Sequence, residues 1–415
     1  MIETALADVA VAAARVQDRL RVLGALTGGK IDRSGWSLAE TAAHELVAGW
    51  MGDAGLVVFR DPAGNLHGAR PGTVAGASEI WSGSHLDTVP GGGLYDGALG
   101  VLVALEAIEL LGPRPLGAAV IAWRDEEGTR FGLGCNGARA LVGRLSPEQL
   151  ALTDADGVTL AEAIAAVGAS VGEGWAMRPP AAYLEVHIEQ GPILAEAGLS
   201  AAVVTGAVAR VRLDVRIDGA AGHAATPLAR RRDAGVAAAQ LMLDVRALAA
   251  GQDQAVATVG AVTLMPGARN VVPERAELFL DMRAPTDRAL DHMLGGFHAR
   301  AEAAAAAQGC TVATVVRQHE PAVTFDHAVL DALRAHLGPA APELVSWGGH
   351  DALIVAQAGV PTAMLYLASG NDGAAHSPRE HTDTAVVADG IEILHRALLE
   401  LTAGPSAVTV NRSAL

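Results

Sequence analysis

The sequence predicts an α/β fold, a larger domain on a mostly parallel sheet with a smaller α+β domain inserted into it. Two observations predict this. Apolar, strand-like runs that end in a polar tip and are followed by a loop and then a helix recur along the chain, the pattern of a parallel sheet with crossover helices. Near residue 206 the texture changes to alternating apolar and polar residues, and near 325 the first texture returns. These shifts divide the 415 residues into 1–207 with 325–415, and 208–324. The length suggests two domains, and 51% hydrophobic residues suffice for a large core.

Residues 1–60 read as mostly helical, beginning with an amphipathic stretch that lacks a basic region before an apolar one. SEIWSGSHLDTV (78–89) is a strand with a polar end, PGGGLYDGALG a glycine-rich loop, and GVLVALEAIELL (100–111) a strongly apolar helix. LGAAVIAWRDEEG (116–128) repeats the scheme, and AYLEVHIEQGP (182–192) is another strand with a polar end. VARVRLDVRIDGAAGH (208–223) alternates with the period of a half-exposed strand. A helix follows over 229–249, then two or three strands over 257–285, a helix over 288–309 and a strand over 310–318. After 325 come a helix, the strand PTAMLYL (361–367), the loop SGNDGAAHSPREHTD and a last helix over 385–402.

The formal net charge is −16, from 30 basic and 46 acidic residues. A nucleic-acid-binding chain shows a basic surface, and none is visible. The basic run Arg230–Arg231–Arg232 meets Asp233 at once and reads as a solvated helix start. No apolar run is long enough to span a membrane. The two cysteines, Cys135 and Cys310, make neither a disulfide framework nor a thiolate metal site. A cytoplasmic location, with no nucleic-acid or membrane partner, is the expectation.

In open α/β sheets, functional residues gather beyond the carboxyl ends of the strands. His85 and the acidic run Asp125–Glu126–Glu127 sit there. Histidine and carboxylate bind zinc, manganese, cobalt or nickel where no thiolate is present. Asp87 is placed to hold the second ring nitrogen of His85. Asp96 follows a glycine-rich turn, and its two oxygens suit it to bridge two cations. Three adjacent acids repel and raise one another's pKa. A dication relieves that by ligating one of them, and another stays free to take a proton from an attacking water. Taken singly, each piece has a structural alternative: a turn glycine, a solvated acid at a helix start, a core histidine. Their concurrence in one domain favours a metal centre.

The segments GSHLDTVPGGGLYDGALGV, RDEEGTRFG, YLEVHIEQGP and GHAATPLARRRDA together resemble the amidase/hydantoinase/carbamoylase family. That family comprises N-carbamoyl-L-amino acid hydrolases, allantoate amidohydrolases and beta-ureidopropionases, within the dinuclear zinc aminoacylases and carboxypeptidases. The resemblance runs from about residue 15 to 402. It implies two divalent ions (Zn, Mn, Co or Ni), one on His85 and His187, the other on Glu127 and His376, with Asp96 bridging. His381 is a second candidate for the last ligand. Glu126 would be the general base and Asp87 the partner of His85. The inserted domain would be a lid and dimerisation domain in a homodimer, with His223 supplied to the partner subunit's site to stabilise a developing oxyanion. Asn270 and Arg283 would bind the substrate carboxylate, an arginine fork suiting that planar group. Gln190 would contact the ureido or amide group, and the backbone at Gly348 and Gly349 would line the pocket.

The implied activity is metal-dependent hydrolysis of a linear amide or ureido C–N bond in a small carboxylate-bearing molecule, foremost an N-carbamoyl-L-amino acid. Allantoate and beta-ureidopropionate are the alternatives, and N-acyl amino acids or dipeptides the more distant ones. A non-catalytic binding protein is disfavoured by a complete ligand set with a free base. GGGLYDG lacks the G-x-G-x-x-G spacing of a dinucleotide-binding dehydrogenase.

Overall fold

A computed structural model gives the fold of residues 2–404. By its contacts the chain divides into two units, one ending at Gly206 and resuming at Thr324, the other spanning Ala207–Val323.

The first unit is built on a nine-stranded sheet. At its centre the strands Ala118–Trp123, Ile80–His85, Ala182–Ile188 and Thr362–Leu367 lie side by side, all parallel. All four are buried along their whole length. That is why they read as continuous apolar runs and not as alternating ones. The helix Ala98–Glu109 follows the Ile80–His85 strand and packs on it, buried on every side up to Ile108. The N-terminal helix Ile2–Ala25 buries Ala12, Val16, Leu20 and Leu23, the spacing of one helical face. It is tied to the Ala98–Glu109 helix by the fully buried Glu106, which accepts from Arg19 at 2.8 Å and also from Arg15.

Both flanks of the sheet turn antiparallel, which the sequence pattern did not signal. Val57–Arg60, inside a stretch expected to be helical, is an edge strand paired with Leu66–Arg70. Leu66–Arg70 in turn runs antiparallel to Ala118–Trp123. On the other side Ala201–Ala207 runs antiparallel to Thr362–Leu367, and Glu343–Ser346 pairs with it.

The second unit is a four-stranded antiparallel sheet covered on one face by the helices Ala234–Ala250 and Asp287–Ala307. In sheet order its strands are Thr311–Glu320, Ala209–Asp218, Arg275–Ala284 and Val256–Met265. Val211, Leu213, Val215 and Ile217 point to the helices, while Arg212, Asp214 and Arg216 point away. The three-arginine run is not a helix start: Asp233 caps the helix through its bonds to Gly235 and Val236 N–H. Arg231 and Arg232 instead donate to backbone carbonyls of the preceding and facing loops.

Candidate metal centre

Because the four central strands are parallel, their carboxyl ends share one edge of the sheet. His85 is the last residue of its strand, His187 the last but one of its own, and Glu126 and Glu127 follow the strand that ends at Trp123. Asp96 arrives on the glycine-rich loop between the His85 strand and its helix, and His376 on the loop after Leu367.

These side chains form two clusters that share one carboxylate. His85, Asp96 and His187 make a buried group with ligand atoms within 4.8 Å of one another, and Asp96, Glu127 and His376 make a second. One Asp96 oxygen faces His187 Nε2 at 2.9 Å and His85 Nε2 at 3.8 Å. The other faces His376 Nε2 at 3.3 Å, and that nitrogen lies 3.3 Å from Glu127 Oε1. The first cluster is sealed, whereas the His376 side chain is about half exposed (48%). His381 stands outside both groups, with its Nε2 on the exposed Asp383 at 2.9 Å.

The residues present fit a pair of dications. His85 Nε2 and both Asp96 oxygens are buried without a hydrogen-bond partner, which is costly unless something else satisfies them. Their other atoms are taken. His85 Nδ1 lies 3.2 Å from the Asp87 carbonyl and 3.3 Å from the Asp87 carboxylate, and His187 Nδ1 lies 2.9 Å from the Ile188 carbonyl. Both imidazoles therefore turn Nε2 toward Asp96. The carboxylates of Asp96 and Glu127, each 3.3 Å from its Nε2, push His376 up to about 11. Burial drives His85 and His187 the other way, but Asp87 beside His85 and Asp96 beside His187 outweigh it. The carboxylates thus demand positive charge at the place where the ligand atoms converge.

Asp87 has a second task. Its two oxygens accept the backbone N–H groups of Glu126 and Glu127, each at 3.0 Å, and so fix the turn that presents both acids. Glu126 itself coordinates neither cluster. Its Oε2 lies 3.9 Å from His85 Nε2, and its Oε1 accepts from the Cys135 thiol at 3.7 Å. Burial, with Glu127 and Asp87 adding to it against the pull of His85, pushes Glu126 up to about 8. A buried carboxylate so tuned holds and releases a proton near neutrality. Asp125, Cys135 and His376 all adopt left-handed backbone, strain of the kind that collects at functional sites.

Of the expected substrate contacts, Gln190 and Gly348 come together: a Cβ on Gly348 would stand 2.8 Å from Gln190 Oε1. Gly348 N–H donates to Ser346 Oγ, and Gly349 follows in the same turn. In the second unit His223 and Asn270 are neighbours. The short strand Gly222–His223 pairs with Val271–Val272, and the Asn270 carbonyl accepts from Ala224 N–H at 2.9 Å. Arg283 is not with them. The two-strand arch lies at the Arg275 end of strand Arg275–Ala284, and Arg283 is eight positions further along. At about 3.3 Å per residue the two ends are roughly 26 Å apart. Arg283 stands on the face of the sheet that the helices leave open, bonded to Asp281 at 2.8 Å, with Arg212 on the other side of the same carboxylate.

Three residues near the centre escaped the sequence reading. The His350 ring stacks edge-on against His187 at 4.5 Å, and Tyr366 links His350 to Ser346. Glu380 accepts three backbone N–H groups of the Asp96 loop. His350 was within reach, in the GGHDA run after a strand. Glu380 was not: its place four residues after His376 is visible in AHSPRE, but its partners on the Asp96 loop are not.

Residues 81–400 match peptidase family M20/M25/M40. The chain is 36% identical to an N-carbamoyl-L-amino acid amidohydrolase of Geobacillus stearothermophilus, over 94% of this chain and 98% of that one. It is 31% identical to an allantoate deiminase of Arabidopsis thaliana, over 92% and 81%. A crystal structure of an amidase of the hydantoinase/carbamoylase family from Burkholderia vietnamiensis superposes with a TM-score of 0.86 at 32% identity, covering 95% of this chain and 98% of that one.

Proposed function

The chain belongs to peptidase family M20/M25/M40, and on that footing we propose that it is a dinuclear metal-dependent amidohydrolase of N-carbamoyl-L-amino acids. The observation that carries this reading is the pair of ligand clusters sharing Asp96, with the non-ligating Glu126 beside them. A single-cation or purely structural site has no use for a shared carboxylate flanked by a free base. The relatives that act on N-carbamoyl-L-amino acids, by their names, span nearly the whole chain.

His85 and His187 would hold one cation, Glu127 and His376 the other, and Asp96 both. Bound there, two dications would polarise the substrate carbonyl and acidify a water. Zinc, manganese, cobalt and nickel all suit the nitrogen and oxygen donors. Glu126 takes the proton from the attacking water at Oε2, the oxygen turned toward His85, and delivers it to the leaving nitrogen. Cleavage of the ureido C–N bond with one water yields the amino acid, carbon dioxide and ammonia. Gln190 and the turn at Gly348 and Gly349 orient the ureido group.

In this reading the inserted unit is a lid and dimerisation domain. Arg283 binds the substrate carboxylate, and His223 and Asn270 complete the site. A substrate under 10 Å long, on the order of a few covalent bonds, does not reach across the roughly 26 Å between those positions on one lid. The geometry of the lid therefore favours two copies, each lending His223 and Asn270 to the other's site. Val256–Met265 supports a homodimer, since it is one of the two edge strands of its sheet and exposes Val256, Val262 and Leu264. Among the described residues no helix is long and apolar enough to cross a membrane. We retain the cytoplasm as the place of action.

The test is ammonia release by metal-reconstituted protein from N-carbamoyl-L-methionine, its D-enantiomer, beta-ureidopropionate and allantoate, with a chelator control. Chelator-sensitive turnover of the L-carbamoyl acid is expected. Turnover of allantoate alone would move the substrate assignment and leave the chemistry in place. Release from none of them would remove the ureido reading.

A further inference from the structure

Two of the three segments that supply the second ligand cluster lie 280 residues apart, the loop bearing Asp96 and the loop bearing His376. Neither is a strand or a helix, so no ladder holds one against the other. What joins them is Glu380, four residues beyond His376 and 6% exposed. Its Oε1 accepts from Gly93 N–H at 3.2 Å, and its Oε2 accepts from Tyr95 N–H at 3.0 Å and Asp96 N–H at 3.1 Å. The Glu380 N–H donates to the Ser377 carbonyl, closing the turn directly after His376. Gln17 adds a second link, accepting from the Tyr95 hydroxyl at 2.9 Å and donating to the Thr382 carbonyl at 2.9 Å. The sequence leaves room for the clamp. A Cβ on Gly93 would stand 2.3–2.5 Å from the Glu380 side chain, so any larger residue there displaces it.

We propose that Glu380 is a positioning residue of the dinuclear centre, whose carboxylate holds the Asp96 loop and the His376 turn in register so that both ligand clusters are assembled before a cation arrives. The inference rests on the metal-centre reading above. Glu380 is not a ligand: its oxygens are spent on three N–H groups, and it belongs to neither cluster. One of those N–H groups is that of Asp96 itself, so the clamp acts on the residue that both cations would share. Charge-assisted bonds to backbone N–H are the strong kind, and three on one carboxylate fix the loop's path as well as its distance. Residues that orient a ligand in this way typically govern metal affinity by about 10–100-fold.

The experiment is a cobalt(II) titration of metal-free wild-type, Glu380→Ala and Glu380→Gln protein, read by visible absorption and by bound metal per chain. Thermal unfolding of each metal-free form is measured alongside. Wild type should take up two equivalents. Glu380→Ala loses all three bonds and should bind cobalt about 10–100-fold more weakly, with altered absorption bands. Glu380→Gln keeps one carbonyl oxygen for Tyr95 and Asp96 and should recover most of that loss. Should Glu380→Ala not fold, Gly93→Ala, which crowds the carboxylate from the other side, is expected to weaken cobalt binding in its place. Wild-type affinity and bands in the folded variants, with only the unfolding temperature lowered, would reduce Glu380 to a fold residue and overturn the proposal. Equal losses in the Ala and Gln variants would overturn the hydrogen-bond account. A wild-type chain that fails to take up two equivalents would remove the metal centre itself, a result distinct from either.

Discussion

At the scale of the residue, Glu126 and Glu127 are adjacent acids proposed for different tasks, and their surroundings separate them. Glu127 points at His376 and Asp96, while Glu126 is turned to the edge of the clusters and held by the Cys135 thiol on one oxygen. Glu126→Gln keeps the shape and removes the basic oxygen. It should retain two metals per chain and lose about 10²–10⁴ of kcat, the usual share of a general base. Metal analysis beside steady-state rates checks this, and undiminished turnover would remove Glu126 from the role. Arg283 is the other separable residue. Its guanidinium already bonds Asp281, which Arg283 and Arg212 hold below the usual carboxylate range against the upward push of burial. A charged hydrogen bond contributes about 1.5–3 kcal/mol. Arg283→Ala should therefore raise KM by about 10–100-fold for carboxylate substrates. An amidated analogue should be nearly unaffected, and an equal loss with it would dismiss the carboxylate contact.

At the scale of the element, the centre depends on how the His85 strand hands over to its helix. Gly97 stands between the Asp96 loop and Ala98–Glu109 with φ +65, a left-handed conformation, and a Cβ there would lie 2.4 Å from the His85 ring. Gly97→Ala meets both obstacles. The backbone term alone costs about 1–2 kcal/mol, and the steric one falls on a ligand. The expected result is lower stability in denaturant together with less than two metals per chain. Full metal content at reduced stability would separate the turn from the site. The same handover explains what was legible in the sequence. His85 and Asp125–Glu126–Glu127 each stand at the end of an apolar run, so a strand end and its polar tip are visible in one short window, and Asp96 follows in the glycine-rich turn after the first. The alternation in Ala209–Asp218 was equally local. The hairpin Val57–Arg60 with Leu66–Arg70 is too short for a period, and AAVVTGA at 201–207, buried on both faces, shows none. Glu380 is harder still, since its partners lie 284 to 287 residues away.

At the scale of the whole molecule, the question is whether one chain is a complete catalyst. The inserted unit places Arg283 at one end of a strand and the His223–Asn270 pair at the other, so a small substrate touching all three, as proposed, would need two copies. Mixing two inactive chains decides it. A Glu126→Gln chain has a dead base but an intact His223, and a His223→Ala chain has the reverse. In a symmetric dimer that exchanges lid residues, a mixed pair contains one site with both defects and one with neither. Equal co-expression makes about half the dimers mixed, and each carries one sound site of two, so about a quarter of wild-type activity should return. If His223 instead served its own chain, every site in every combination would carry one defect, and activity would stay at the level of the single variants. Differential tags on the two chains show that mixed dimers have formed. Silence from a confirmed mixed dimer of two inactive chains would place His223 in its own subunit's site.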